Sequence, residues 1–284
     1  MSSLPDRKFG SFQAEYRPLS ESHADWGSIA LLPWDEAAFG FPVAEFRLGP
    51  EPPKADDIHL FRETLFDFCR RTRSELISVR VPASDTVLIA LLLQASFAYL
   101  DFSLLTTLPD LKPDSLPNAQ FTLRQADPAD HEAIYKICDC AFHFGRYHTD
   151  PRFPRELANR RYVQWMRRAL SGSDPGDFVF VVGKPGKVSA FMHVALHEST
   201  ADLRLGAAAP GIPVGFWLYA GATRSASALG AKTVVSGISA ANIQSLQMFS
   251  ALGFRFSRPE VILHWHSPEA THLVTSASVP KQIP

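Results

Sequence analysis

The segment Ala240-Ala241-Asn242-Ile243-Gln244-Ser245-Leu246-Gln247-Met248-Phe249-Ser250-Ala251-Leu252-Gly253-Phe254 constrains this chain more than any other. It follows an apolar β-branched run, Thr233-Val234-Val235. Asn242 offers a side-chain oxygen to the first free helical amides, so it reads as an N-cap. Leu246, Phe249 and Leu252 recur at helical spacing, and Gly253 stands where a helix stop wants positive φ. A strand, a capped helix, a glycine stop and a new strand make a βαβ-like unit.

The length of 284 residues suits two domains of ordinary size or one large one. A hydrophobic fraction of 46% is enough for real cores. The net charge of −1 and pI near 6.8 argue against a dedicated nucleic-acid binder, which carries a basic excess. Met1 to Gly10 is polar and has no apolar stretch of the kind a signal peptide needs. The longest apolar run, Val87 to Leu93, has seven residues against the roughly 20 that span a bilayer. A soluble cytoplasmic protein with no membrane partner is the expectation. The cysteines, Cys69, Cys138 and Cys140, are odd in number and read as reduced thiols.

Pro109, Pro113 and Pro117 mark an extended connection among polar neighbours, and a break is placed near residue 115. That gives residues 1–115, residues 119–267 and a Ser/Thr/Pro-rich tail, 268–284. After the break, Phe121 to Arg124 reads as a strand. Asp127-Pro128 is an N-cap with a first-turn proline, opening a helix from Ala129 to about Phe142. Arg155 to Leu170 forms a second helix. Strands follow at Phe178–Val182, Val188–His197 and Leu203–Ala209, the first two joined by the turn Lys184-Pro185-Gly186-Lys187. A helix from Phe216 to about Ala228, a strand from Lys232 to Ser239, the Asn242 helix and a strand pair within Arg255–Trp265 complete the series. The order is β-α-α-β-β-β-α-β-α-β, a mixed α/β sheet.

This order, with Asn242, the apolar helix and Leu252-Gly253-Phe254, resembles the GNAT acyltransferase superfamily over residues 119 to 267. Residues 1 to 115 read as a shortened GNAT-like half without its own coenzyme site. In that half, Leu76 to Val81 is a strand, and Ala90 to Phe102 echoes Met248 to Phe254 without the glycine. Leu32-Pro33-Trp34-Asp35, followed by Phe39-Gly40-Phe41, is similar to the opening of dTDP-fucosamine acetyltransferases, which acetylate the amine of a nucleotide-linked deoxysugar. The resemblance implies acetyl-CoA or another acyl-CoA as cosubstrate and a small-molecule amine, such as an amino sugar, as acceptor. A homodimer is compatible with it.

The resemblance places coenzyme contacts at Ala207, Ala209, Gly211, Val214, Gly215, Phe216, Asn242 and Phe249. Free amides at a helix start favour an anion such as pyrophosphate. Pro210 and Pro213 depart from the usual Arg/Gln-x-x-Gly-x-Gly/Ala loop, and proline has no N–H to give. A tyrosine that would protonate the coenzyme thiolate is expected seven residues after Asn242, where Phe249 stands; Tyr219 is the substitute in reach of sequence reasoning. His193 is the candidate general base, histidine being the residue type suited to proton transfer near neutral pH, with Glu198 acting through a water as its alternative. His143, Arg146, Tyr147 and Arg152, in the loop from Phe142 to Arg155, are candidate acceptor contacts: forked donors for phosphate and faces for stacking.

No metal is expected. Cys138 and Cys140 fall on a predicted helix, where i and i+2 side chains point apart, so with His143 and His148 they make no zinc set. Cys140 reads as a core residue. No Ser-His-Asp triad or Walker loop is legible. Two classes of function remain: an acyl-CoA-dependent N-acetyltransferase using direct transfer, and a catalytically weakened protein of the same fold that binds a ligand or partner without turnover.

Overall fold

A computed structural model describes residues 14–112, 116–117 and 121–273. The first elements are β1 (Arg17–Pro18), β2 (Gly27–Leu31), α1 (Pro33–Phe39), β3 (Val43–Leu48), α2 (Ile58–Thr72), β4 (Leu76–Pro82), α3 (Thr86–Gln94) and β5 (Ala98–Leu108). They are followed by β6 (Arg124–Gln125), α4 (His131–Cys138), α5 (Arg155–Leu170), β7 (Asp177–Lys184), β8 (Lys187–His197) and β9 (Thr200–Ala208). The last are α6 (Gly215–Ala228), β10 (Thr233–Ser239), α7 (Ile243–Ala251) and β11 (Arg255–His266).

The described residues fall into two compact units. One holds those of 104–144 and 159–258; the other holds those of 14–103, 145–158 and 259–273. The division is interleaved, so the boundary placed near residue 115 does not coincide with it. The proline-rich connection joins segments of a single unit, and the tail begins inside the other. Residues 113–115 and 118–120 of the connection, and the tail beyond residue 273, lie outside the described residues.

In the first unit β6, β7, β8 and β9 run antiparallel in sequence order, and β10 joins β9 in parallel. Period-two alternation gives the sheet two apolar faces. Ala190, Met192, Val194 and Leu203 pack with Leu218 and Ala222 of α6 and Phe249 of α7. Val179, Val181, Phe191 and Leu205 pack with Ile134, Ile137 and Cys138 of α4 and Met166 of α5.

In the other unit β2 and β3 form an antiparallel pair, β3 lies parallel to β4, and β11 runs antiparallel to β4. Ile77, Val79, Val261, Leu263 and Trp265 face Phe61 and Leu65 of α2 and Leu92 of α3. The opposite face carries Glu45, Ser78 and His264 in one row, since Glu45 pairs with Ser78 and Ser78 with His264.

The second half of the chain follows the expected element order, with local differences. Asp127 caps a short 3-10 turn, Pro128–Asp130, and α4 ends at Cys138 instead of near Phe142. The Asn159 side chain takes the Asp139 carbonyl at 2.6 Å, which satisfies a helix-end acceptor there. Cys140 is therefore exposed, contrary to the core role expected for it, and Cys138 is the buried thiol. Burial pushes the Cys138 thiol well above its ordinary range. The expected last strand pair is the single strand β11.

The internal repeat is visible in the backbone. Asp85 Oδ1 accepts from the Leu88 amide at 3.1 Å, as Asn242 Oδ1 does from the Ser245 amide at 3.1 Å. Past each helix the Phe97 amide reaches Leu92 O, and the Phe254 amide reaches Phe249 O, both at 3.0 Å. Ser96 takes φ 72° where Gly253 takes φ 82°. The left-handed turn persists without its glycine.

Candidate functional site

The site is built where β9 and β10 part. Their registered pairing covers only Thr200 to Asp202 with Thr233 to Val235, although β9 continues to Ala208 and β10 to Ser239. Just beyond, Ser236 Oγ donates to Leu203 O at 2.8 Å. Pairing between β8 and β9 shifts from His193↔Leu205 to Val194↔Leu203, so Arg204 is the extra residue of a bulge. A bulge bends its strand and turns it from its neighbour. An opening between two parallel strands exposes main-chain donors and acceptors that an extended ligand can pair with.

Two helices start at this opening. Ala209 still pairs back to Ser189 O at 2.8 Å, and Gly211 turns the chain at φ 79°. Val214 is the N-cap of α6, and the first helical bond runs from the Leu218 amide to Val214 O at 2.8 Å. Gly215, Phe216 and Trp217 supply the first-turn amides, which a helix leaves without internal partners. Pro213 supplies none. A Cβ on Gly215 would stand 2.9 Å from Met248 Sδ, so glycine lets α6 begin against α7. The second helix is α7 with its Asn242 cap. Asn242→Ala is expected to cost about 1 kcal/mol in chemical denaturation and Asn242→Ser far less, because only the cap bond distinguishes them.

Phe249 is 1% exposed and meets Tyr219 edge-on at 4.9 Å and Phe254 at 4.8 Å. Ala207 lies in β9 opposite Phe191. Ala207, Ala209, Gly211, Val214, Gly215, Phe216 and Asn242 follow β9, the loop after it and the two helix starts, whereas Phe249 lies in the apolar core against α6.

The base candidates fare differently. His193 is 1% exposed, and Trp165 Nε1 donates to its Nδ1 at 3.2 Å. The proton then sits on Nε2, which stands 3.1 Å from Asp177 Oδ1 but off the hydrogen-bonding line. Asp177 also takes Arg204 Nη1, from the bulge, at 3.1 Å. As placed, His193 has no spare lone pair, and accepting a proton at Nδ1 would break the Trp165 bond. Glu198 occupies the exposed turn between β8 and β9 at φ 54°. The strand β9 separates that turn from the Gly211 loop, roughly 26 Å at about 3.3 Å per residue.

The acceptor-loop candidates divide between the units. His143 is exposed in the first. Arg146, Tyr147 and Arg152 belong to the other. Tyr147 Oη donates to Asp35 Oδ2 at 2.6 Å. Arg146 donates to Asp35 at 3.3 Å, to Ser78 Oγ at 3.4 Å and to Tyr147 Oη at 3.2 Å, and stands 3.5 Å from Glu45. Tyr147 is 3% exposed and Asp35 fully buried. These side chains tie the loop after Gly145 to the sheet of their own unit, and the Trp34-Asp35 motif supplies the acceptor.

Next to them, Asp150 Oδ2 accepts from His264 Nδ1 at 2.8 Å and His266 Nε2 at 2.7 Å. The spacing of His264 and His266 on one strand is the local signal in the sequence for this group, and nothing local points to Asp150. Burial raises the Asp150 carboxyl, but the two imidazole bonds outweigh it and hold the group well below the usual carboxylate range. Burial takes His264 down to about 4. Among the described residues these three form the group able to hold a cation. Asp150 Oδ2 stands at hydrogen-bond distance from each imidazole, and the three ligand atoms lie within 4.8 Å of one another.

No protein-family model matches the chain. A spore coat polysaccharide biosynthesis protein of Bacillus subtilis (strain 168), SpsD, is 27% identical over 214 residues, 73% of each chain. A GCN5-related N-acetyltransferase from Sphaerobacter thermophilus superposes with a TM-score of 0.59 at 14% identity, over 85% of this chain and 76% of its own. A tandem GNAT protein from the clavulanic acid biosynthesis pathway gives 0.53 at 15% identity, over 86% and 80%. No helix among the described residues is long and apolar enough to cross a membrane. The parted strands between two helix starts belong, with these superpositions, to the GNAT fold, and this chain has that fold.

Proposed function

We propose that this chain is an acyl-CoA-dependent N-acyltransferase whose acceptor is an amino sugar, carried on a nucleotide or free. The observation that carries the reading is the opening between β9 and β10 with the α6 and α7 N-termini beside it. In this reading the Gly215, Phe216 and Trp217 amides hold the pyrophosphate at the positive end of α6. The free edge of β9 beyond Leu203 pairs with the amide-bearing arm of the coenzyme. The acceptor attacks as the free amine, directly on the thioester. A relative named for polysaccharide biosynthesis supports a sugar acceptor.

The second reading, a ligand-binding protein without turnover, is favoured by Phe249 and Pro213. Acetyl-CoA is expected to raise the melting temperature in either case. A ligand that binds only the folded state adds roughly 2.7 kcal/mol at one hundred times its Kd. No shift with millimolar acetyl-CoA, CoA or longer acyl-CoAs would sink the transferase reading and leave only binding of some other ligand or partner. Thiol release in the presence of nucleotide-linked amino sugars separates them: release establishes the transferase, and binding without release across a panel of amines leaves the binding protein.

A further inference from the structure

The unit built on β4 and β11 holds a group of side chains that the transferase reading does not use. His264 and His266 stand two residues apart on β11, so strand alternation sends both imidazoles to one face. There they meet Asp150, 114 and 116 residues away in sequence. Its own loop sets the aspartate in place. Oδ1 accepts from the Arg152 amide at 2.9 Å, and the Asp150 carbonyl accepts from the Phe153 amide at 3.1 Å. Oδ2 is left to the two rings. The Tyr147 ring lies against His264 at 5.5 Å, and the two imidazole planes cross at 82°. Two nitrogens and one oxygen, one atom from each residue, thus converge within 4.8 Å of one another.

As a fastening for the loop, this arrangement exceeds what the fold requires. Asp35 already holds Arg146 and Tyr147, and Phe153 packs with Phe39 and Phe41. Donating Nδ1–H to Asp150 leaves His264 Nε2 a bare lone pair, buried and without a hydrogen-bond partner. A position that served packing alone would be better filled by an apolar residue. The imidazole N–H groups solvate the Asp150 charge without cancelling it, and the nearby cation, Arg146, is engaged with Asp35 and Glu45.

We propose that Asp150, His264 and His266 bind one divalent transition-metal ion, zinc first, through Oδ2, Nδ1 and Nε2. Two imidazoles and a carboxylate without a thiolate suit Zn²⁺ or Fe²⁺, whereas Mg²⁺ and Ca²⁺ take oxygen sets. The rings shed no net proton. Each imidazole carries its proton on the far nitrogen once the near one holds the metal, so His264 Nε2 becomes a donor. Ligating histidines use that N–H on a nearby acceptor, and Ser78, the register partner of His264, carries a hydroxyl at the neighbouring position. Three protein ligands leave a fourth tetrahedral position to water. His266, with 6% of its side chain accessible, is the member of the group that solvent touches. The metal-free protein keeps the hydrogen-bonded arrangement. Metal binding here does not depend on acyl transfer, so either can fail alone.

The test titrates zinc chloride into the full chain, stripped with EDTA and carrying no histidine tag. Expected is about one ion per chain with a Kd of about 1 μM or tighter, read by competition with a chromophoric chelator. His266→Gln and Asp150→Asn should each weaken binding by about 100-fold or more, since each removes a ligand. His59→Gln, at an exposed position of α2, should leave it unchanged. Should the ligand variants fail to fold, the wild type decides by itself. In long-range ¹H–¹⁵N spectra zinc should move the ring proton of His264 from Nδ1 to Nε2, and that of His266 from Nε2 to Nδ1. Imidazole signals unmoved at saturating zinc overturn the proposal. So does binding that survives His266→Gln in a folded protein, or no binding at micromolar zinc; each leaves a hydrogen-bonded clamp.

Discussion

On acidification from pH 6.5 to 4, the unit containing β4 and β11 is expected to lose on the order of 3 kcal/mol of stability. The cause is His264. Buried and donating Nδ1–H to Asp150, it has a folded pKa of about 4 against an ordinary value of 6.5. Between those values the unfolded chain binds a proton that the folded chain refuses, so stability is full above 6.5 and falls as pH drops toward 4. Asp150 acts lower down. Its depressed carboxyl stabilises the fold above its unfolded pKa of about 3.9 and loses that contribution as pH falls through the folded value. Arg146 and the His266 imidazole are the other ionisable groups that face the pair. Urea titrations at several pH values, followed at β11 amides by NMR, read the effect. His264→Asn keeps a donor near Asp150 but removes the titration. If that variant loses stability with the same pH slope as wild type, another group is responsible.

Asp35→Ala should cost about 3–5 kcal/mol, the usual penalty for removing one partner of a buried ion pair. Asp35 is fully buried and accepts from both Tyr147 and Arg146. Its removal leaves the Tyr147 hydroxyl without this acceptor and Arg146 leaning on Glu45 alone among carboxylates. Asp35→Asn keeps one acceptor oxygen and should cost clearly less. The urea midpoint at constant slope measures both. A loss below 1 kcal/mol in Asp35→Ala would mean that the apolar cluster of Phe39, Phe41 and Phe153 holds the loop by itself.

The parts legible in the sequence are those whose cause is local. Asn242 caps its helix through an amide three residues on, and Gly253 stops it through its own φ. Periodicity located α5 at the residues expected, Arg155 to Leu170. The elements that carry the candidate coenzyme residues were legible for the same reason, since β9, Gly211, α6, β10 and the α7 cap follow one another along the chain. Side-chain networks were not. Asp35, the loop that carries Arg146 and Asp150, and His264 are far apart in sequence, and only the sheet register brings Ser78 and His264 into one row. Arg146 and Tyr147 have the chemistry of ligand contacts, and nothing local shows that a buried aspartate 111 and 112 residues away already holds them. His193 misled similarly: its type suits a base, but Trp165 and Asp177 decide which nitrogen carries the proton.

The interleaving of the chain bears on how it is made. β4 is complete by residue 82, yet its antiparallel neighbour is Glu260 to His266. During synthesis that edge of β4 must wait for more than half the protein to be polymerised, at about 5–20 residues per second. For many seconds the nascent chain therefore exposes an apolar, unpaired strand, the kind of edge that recruits wrong partners. Ribosome-bound chains ending before residue 259 should engage chaperones through this strand, and a chain released early should be insoluble even though its missing piece carries none of the coenzyme contacts. Among the described residues, the last strand to be translated is the one that pairs the open edge of β4.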